Sequence, residues 1–522
     1  MIHTPQGYRG MVTSPHHLAS QAGLDILKAG GTAAEAAVAV AATLAVVYPH
    51  MNSIGGDSFW LVREPDGRVH SVHGCGSAAQ KADLALYAGL DAVPWRGPLA
   101  ANTVAGTLSA WAAMCEGGGL SLDQILEAAI HYAGAGVAVT KGGAEIAAAK
   151  DAELRDIFGY GAVYRPGGSV LREGDRLKQP ALAGTLKRLV RDGLQSFYDG
   201  ALARDIAGDL AEGGSPVSAV DLQAHRVERP QPLNASICGA RLYNSAPPTQ
   251  GFASLLILAL FDRLGVKTID DFAHIHGLVE ATKRAFTLRD RHIGDPAWMD
   301  FDAQGLLADA GALDALAGQI DPAIALPWPH VPALGDTVWF GVIDGEGRAV
   351  SAIQSTYFEF GSGLVLPQTG IIWQNRGASF TLSELGPKAL KPGRKPFHTL
   401  NPALAVFDDG RVMPYGTMGG EGQPQTQGAI FSRYACGLSL QQAVTAPRWL
   451  LGKTWGENSV TLKLEDRFDS AVFDTLRAAG HNIEIVAPFT SMMGHAGALV
   501  RHLDGRIEGA ADPRSDGGVA AW

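Results

Sequence analysis

The sequence predicts a mixed α/β fold, and three observations carry that reading. Residues 36–47 are almost wholly apolar and follow Thr32-x-x-Glu35, a capping box, so they read as a buried helix. Residues 339–343 and 349–355 are apolar, aromatic or β-branched and flank Asp344-Gly345-Glu346-Gly347, so they read as a β-hairpin. The 65 glycines sit among 46% hydrophobic residues, which points to many tight turns between packed elements.

Taken in order, Gly10-Met11-Val12-Thr13-Ser14-Pro15 reads as a short strand and turn. Leu18, Ala22, Ile26 and Leu27 have helical spacing, and Gly30-Gly31 stops that helix. Pro49 ends the apolar helix, and Ser53-Ile54-Gly55-Gly56-Asp57-Ser58 turns into a strand over residues 59–62. Residues 120–133 read as a helix, and the stretch to about Val220 reads as largely helical with glycine-rich loops. Ala246-Pro247-Pro248-Thr249-Gln250-Gly251 is a turn before an apolar helix over residues 252–264. Residues 297–336 are rich in Ala, Gly and Pro and read as a surface connector. With Pro327, Pro329 and Pro332 behind it, Thr337 stands where an irregular, accessible segment enters a core strand.

Composition narrows the function. A formal charge of −10 on 522 residues supplies no basic patch for nucleic acid. The apolar run at 36–47 falls short of the roughly 20 residues a membrane helix needs. The N-terminal residues carry no charged-then-apolar export pattern, so a soluble cytoplasmic protein is expected. Cys75, Cys115, Cys238 and Cys436 lie far apart without metal spacing and read as buried reduced thiols. His16-His17 and His274-x-His276 lack a third ligand nearby in sequence, so no metal is expected. Gly416-x-x-Gly419-Gly420-x-Gly422 lacks the Lys-Ser/Thr of a phosphate loop.

Gly335-Asp336-Thr337, the hairpin, Phe360-Gly361-Ser362-Gly363 and Thr417-Met418-Gly419-Gly420 follow one another in an order that resembles the γ-glutamyltransferase family of N-terminal nucleophile (Ntn) hydrolases. The resemblance extends over nearly the whole chain. It implies a four-layer αββα sandwich and self-cleavage at Asp336–Thr337. The products are a large chain, 1–336, and a small chain, 337–522, which together form one domain. It further implies that Thr337 is the nucleophile, that its new α-amine (pKa about 7.7–8.0) is the base, and that no cofactor is needed. Gly419 and Gly420 match the oxyanion-hole glycines, and Ser355 matches a hydroxyl residue supporting the nucleophile. The expected partners are a small-molecule amide and the two cleaved chains for each other, with a dimer of these pairs as a further assembly.

The substrate-reading positions depart from the family. Cys75 stands where an arginine binds the glutamyl α-carboxylate, and Tyr357, Arg376 and Ser379 replace the asparagine, glutamine and aspartate that read the amino acid end. His398 and Thr399 replace paired serines, and the short segment between Phe380 and Pro396 implies a missing lid loop. Asn375-Arg376-Gly377 together with Pro396-Phe397-His398-Thr399-Leu400-Asn401-Pro402 looks like the subgroup containing oxamate amidohydrolase. Arg376 is then the candidate partner of a substrate carboxylate, because a guanidinium binds it in a bidentate fork. A γ-glutamyl hydrolase or transpeptidase, an acylase, and an unprocessed inactive homologue acting as a binding protein are the alternatives.

Overall fold

A computed structural model describes residues 3–328, 336–452 and 460–522. Two sheets face each other. One has six strands in the order Gly518–Ala521, Gly10–Ser14, Asp336–Asp344, Ala349–Tyr357, Asp57–Arg63 and Val69–Gly74. The other has seven, in the order Gln6–Gly7, Ile507–Ala511, Ala496–Arg501, Val412–Thr417, Ala403–Phe407, Ala240–Asn244 and Leu233–Ile237. Helices His17–Lys28, Ala33–Val47 and Thr107–Met114 cover the outer face of the first sheet, and Gly251–Arg263 and Gly422–Ala435 cover that of the second. The result is the expected four-layer αββα sandwich.

Strand alternation explains the layering. In Asp336–Asp344, Val338, Phe340 and Val342 join the core beneath the outer helices. Trp339 and Ile343 point the other way, into the space between the sheets. Trp339 packs there with Phe59, Ile353 and Leu400. Its indole lies so close to Gly416 and Gly497 of the facing sheet that a Cβ at either would fall 2.3–2.5 Å from a ring atom. Only glycine lets the two sheets approach at this point. Thr337 shares Trp339's parity and therefore faces the gap between the sheets.

Local signals place the supporting elements. Thr32 caps the helix Ala33–Val47 through the reciprocal capping box with Glu35, and nearly all of that helix is buried. The predicted hairpin forms, with Val350 opposite Val342. The helix expected at residues 252–264 forms as Gly251–Arg263.

Two expectations need correction. The proposed connector over 297–336 is structured as far as Trp328. Asp302 and Asp309 cap two short helices, Ala303–Ala308 and Ala310–Ala317, which bury Leu307 and Leu313. High alanine content there reflected helix propensity rather than a loop. The approach formed by residues 329–335, Gly335 included, lies outside the described residues. The four cysteines are free, but only Cys75 is buried; Cys115 and Cys436 are half-buried, and Cys238 is exposed, because it occupies the turn of a hairpin with φ 49°. Among the described residues no helix is long and apolar enough to cross a membrane.

Candidate active site

Thr337 is fully buried at the start of its strand, next to an irregularity in the neighbouring strand. The register between the two strands shifts after Gln354, and pairing resumes with Tyr357 opposite Asp336. Tyr357 adopts φ 85°, a conformation that costs an aromatic residue about 1–3 kcal/mol. The shift brings Ser355 beside Thr337. The Thr337 hydroxyl lies 3.4 Å from Ser355 Oγ, and Gln423 Nε2 stands 3.4 Å away on another side. Ser355 Oγ accepts a 2.8 Å bond from the Tyr357 amide, which holds the hydroxyl in place.

Gly419 and Gly420 follow the strand Val412–Thr417 and precede the helix Gly422–Ala435. Their φ values, 120° and 53°, lie in the region that disfavours any side chain. Among the described residues neither amide N–H has an acceptor. The positive end of the following helix adds to their capacity to hold negative charge. Their position is fixed from behind. Gln250 Nε2 donates to the Gly420 carbonyl at 2.8 Å and to the Thr399 carbonyl at 2.6 Å, while its Oε1 accepts from buried Arg289 at 2.9 Å. Arg289 is itself paired with Asp290 and, at 3.2 Å, with Glu421.

Arg376 opens a short 3-10 helix, Arg376–Ser379, and is completely buried. Its guanidinium lies 3.8 Å above the Tyr357 ring, a cation–π contact. Among the described residues its guanidinium makes one hydrogen bond, a long one of 3.4 Å to Thr399 Oγ1. Nε and Nη2 have no partner among the described residues. Burial lowers its pKa to about 10, so it stays charged at neutral pH. His398 is buried against Phe59, with Nε2 3.6 Å from Asp57 Oδ2. Burial and the nearby Arg376 keep it neutral, so this contact is not an ion pair. Neither His398 ring nitrogen is hydrogen-bonded among the described residues, and the same holds for both nitrogens of His73.

The fold thus gathers Thr337, Ser355, Tyr357, Arg376, His398, Thr399, Gly419 and Gly420 around one end of the space between the sheets. Cys75 packs at its edge with Phe59 and Trp339, and burial pushes its thiol pKa up. Ser379 closes the 3-10 helix, with no partner for its hydroxyl among the described residues. Sequence reading missed Asp57, Gln250, Arg289 and Gln423. Asp57 had a signal, an acid opening an apolar strand after Gly55-Gly56. Arg289 and Gln423 sit inside helices and carried none.

A possible metal cluster also falls short. His276, Glu280 and His481 lie within ligand range of one another. However, Lys283 and Arg284 already bind the Glu280 carboxylate at 2.6 and 3.1 Å, so a cation would meet charge that is already balanced.

The profile of the gamma-glutamyltranspeptidase family matches residues 19–522. A Klebsiella pneumoniae protein named oxamate amidohydrolase proenzyme is 52% identical over 520 residues, covering 98% of each chain. The Bacillus subtilis glutathione hydrolase-like YwrD proenzyme is 41% identical, again over 98% of both. The crystal structure of cephalosporin acylase from Bacillus halodurans superposes with a TM-score of 0.91 at 33% identity, over 100% of this chain and 97% of that one.

Proposed function

Because the chain belongs to the gamma-glutamyltranspeptidase family, we propose that it is a self-processing threonine amidohydrolase acting on a small carboxylate-bearing amide of the oxamate type. Self-cleavage at Asp336–Thr337 yields chains 1–336 and 337–522 and frees the Thr337 α-amine. The amine accepts the hydroxyl proton as Thr337 Oγ1 attacks the amide carbon, and the same proton leaves with the amide nitrogen as ammonia. Water then opens the acyl-threonine ester and releases the acid. Ser355 and Gln423 hold the hydroxyl in line, and the Gly419 and Gly420 N–H groups receive the negative oxygen that forms in each step.

The observation that carries the substrate class is Arg376. A fully buried guanidinium with two nitrogens left without partners among the described residues is costly. A planar carboxylate satisfies both at once, and the Tyr357 ring beneath the guanidinium belongs to the strand whose Ser355 stands 3.4 Å from the Thr337 hydroxyl. Oxamate has this arrangement in its smallest form. A name carried by a relative at 52% identity over almost the full length supports the same class. A γ-glutamyl group, by contrast, brings both an α-carboxylate and an ammonium, and Cys75, Tyr357 and Ser379, at the positions expected to read them, carry no charge. Ammonia release from oxamate, compared with release of p-nitroaniline from γ-glutamyl-p-nitroanilide, tests the assignment. Preference for the glutamyl compound would overturn it.

The glycine pair gives a further prediction. A valine at Gly420 forces a β-branched side chain to φ 53° and turns the amide away from the nucleophile. Turnover by Gly420→Val should fall on the order of 10²–10³-fold, the cost of one lost oxyanion donor. Steady-state kinetics on protein shown by circular dichroism to be folded checks this. Full activity would remove the glycines from the mechanism.

A further inference from the structure

The buried surroundings of Arg376 hold a second ionisable group, and its sign is wrong for an anionic substrate. Asp57 is completely buried on the strand Asp57–Arg63, where the register pairs it with Ser355. One carboxylate oxygen, Oδ1, accepts from the Gly106 and Gly76 amides at 2.9 and 3.3 Å. The other, Oδ2, has no close hydrogen bond among the described residues and stands 3.6 Å from His398 Nε2. Arg376 lies within electrostatic range and favours the ionised form of this carboxylate. When a substrate carboxylate takes the guanidinium, two carboxylates share one cation away from water. Like charges held that closely do not both stay ionised.

We propose that Asp57 takes up a proton as the substrate carboxylate binds, so that the site accepts a monoanionic amide together with one proton. The inference rests on the reading of Arg376 as the carboxylate partner. The proton on Oδ2 would then donate to His398 or to the incoming carboxylate, supplying the bond that Oδ2 lacks.

The other groups facing Asp57 do not serve this role. Burial holds His398 and His73 neutral, the latter with a pKa of about 3. Burial likewise keeps Tyr357, on the adjoining strand, protonated to about pH 12, and raises the Cys75 thiol and the Tyr198 hydroxyl. Lys395, beyond Cys75, is paired with Glu228. Asp57 itself is raised to about 7 by burial, against the opposing pull of Arg376, the Gly106 and Gly76 amides and Gln374. Below that pH it meets the substrate already protonated. Above it the proton must come from solvent, and affinity for an anion falls about tenfold per pH unit.

The test is kcat/KM for oxamate over roughly pH 6 to 9 in the processed wild-type enzyme and in Asp57→Asn, whose amide replaces the protonated acid. The Thr337 amine contributes equally to both profiles, so their ratio isolates Asp57. The variant-to-wild-type ratio should climb about tenfold per pH unit above neutrality. Parallel profiles would overturn the proposal. If Asp57→Asn does not fold or cleave itself, the wild-type KM decides. It should rise with pH over this range, and a flat KM overturns the inference. Absence of oxamate turnover at every pH would instead count against the proposed function.

Discussion

Thr337→Ala should remain a single chain and release no ammonia from oxamate. One hydroxyl is used twice, first against the Asp336–Thr337 peptide and then against substrate, so its removal stops both reactions. Thr337, the proposed nucleophile, sits on a buried strand with Ser355 Oγ and Gln423 Nε2 each 3.4 Å from its oxygen. Turnover should fall on the order of 10⁴–10⁶-fold, the scale expected when a covalent nucleophile is deleted. The fold should survive, because Val338, Phe340 and Trp339 still anchor the strand on both faces. Thr337→Ser keeps a hydroxyl and should still process. A denaturing gel and an ammonia assay read both variants. Normal activity in Thr337→Ala would place the nucleophile elsewhere.

Arg376→Ala should separate processing from substrate recognition. Self-cleavage acts on the chain's own peptide and needs no carboxylate partner, so two bands should still appear on a gel. For oxamate, kcat/KM should drop roughly 10²–10³-fold, as expected when one member of a buried charge pair is removed. The variant also leaves Asp57 without its compensating cation, which reinforces the loss for an anion. Arg376→Lys should recover only part of the activity, because an ammonium lacks the planar fork and stacks less well on Tyr357. Unchanged kinetics in Arg376→Ala would show that another group receives the carboxylate.

Much of this architecture was legible in the residues. The capping box at Thr32 and Glu35, the uniform apolarity behind it and the Asp344–Gly347 turn each act locally, so each could be read without a partner in view. Family membership is legible in the order of the motifs around Thr337, Gly419 and Gly420 along the chain. What stayed hidden was long-range. Asp57 meets His398, within electrostatic range of Arg376, because three distant segments converge at one end of the sheets. The shift that sets Ser355 against Thr337 arises from strand pairing, and the sequence carries no mark of it. Gln250 and Arg289 support Gly420 from two different helical segments, at distances of 2.8 and 2.9 Å along the relay. The stretch at 303–317 differs for a simpler reason. Its alanine-rich composition resembles a connector, but Asp302 and Asp309 mark two helix starts.

The central claim is that a threonine released at position 337 carries the acyl group of a small carboxylate-bearing amide. Mass spectrometry of the purified protein, mixed with oxamate and quenched in acid, tests it most directly, since acid preserves an ester while stopping its hydrolysis. The account predicts two chains, 1–336 and 337–522, with an oxalyl group on the N-terminal threonine of the smaller one. An intact chain that turns over oxamate at full rate, or an oxalyl group carried by any other residue, would contradict it.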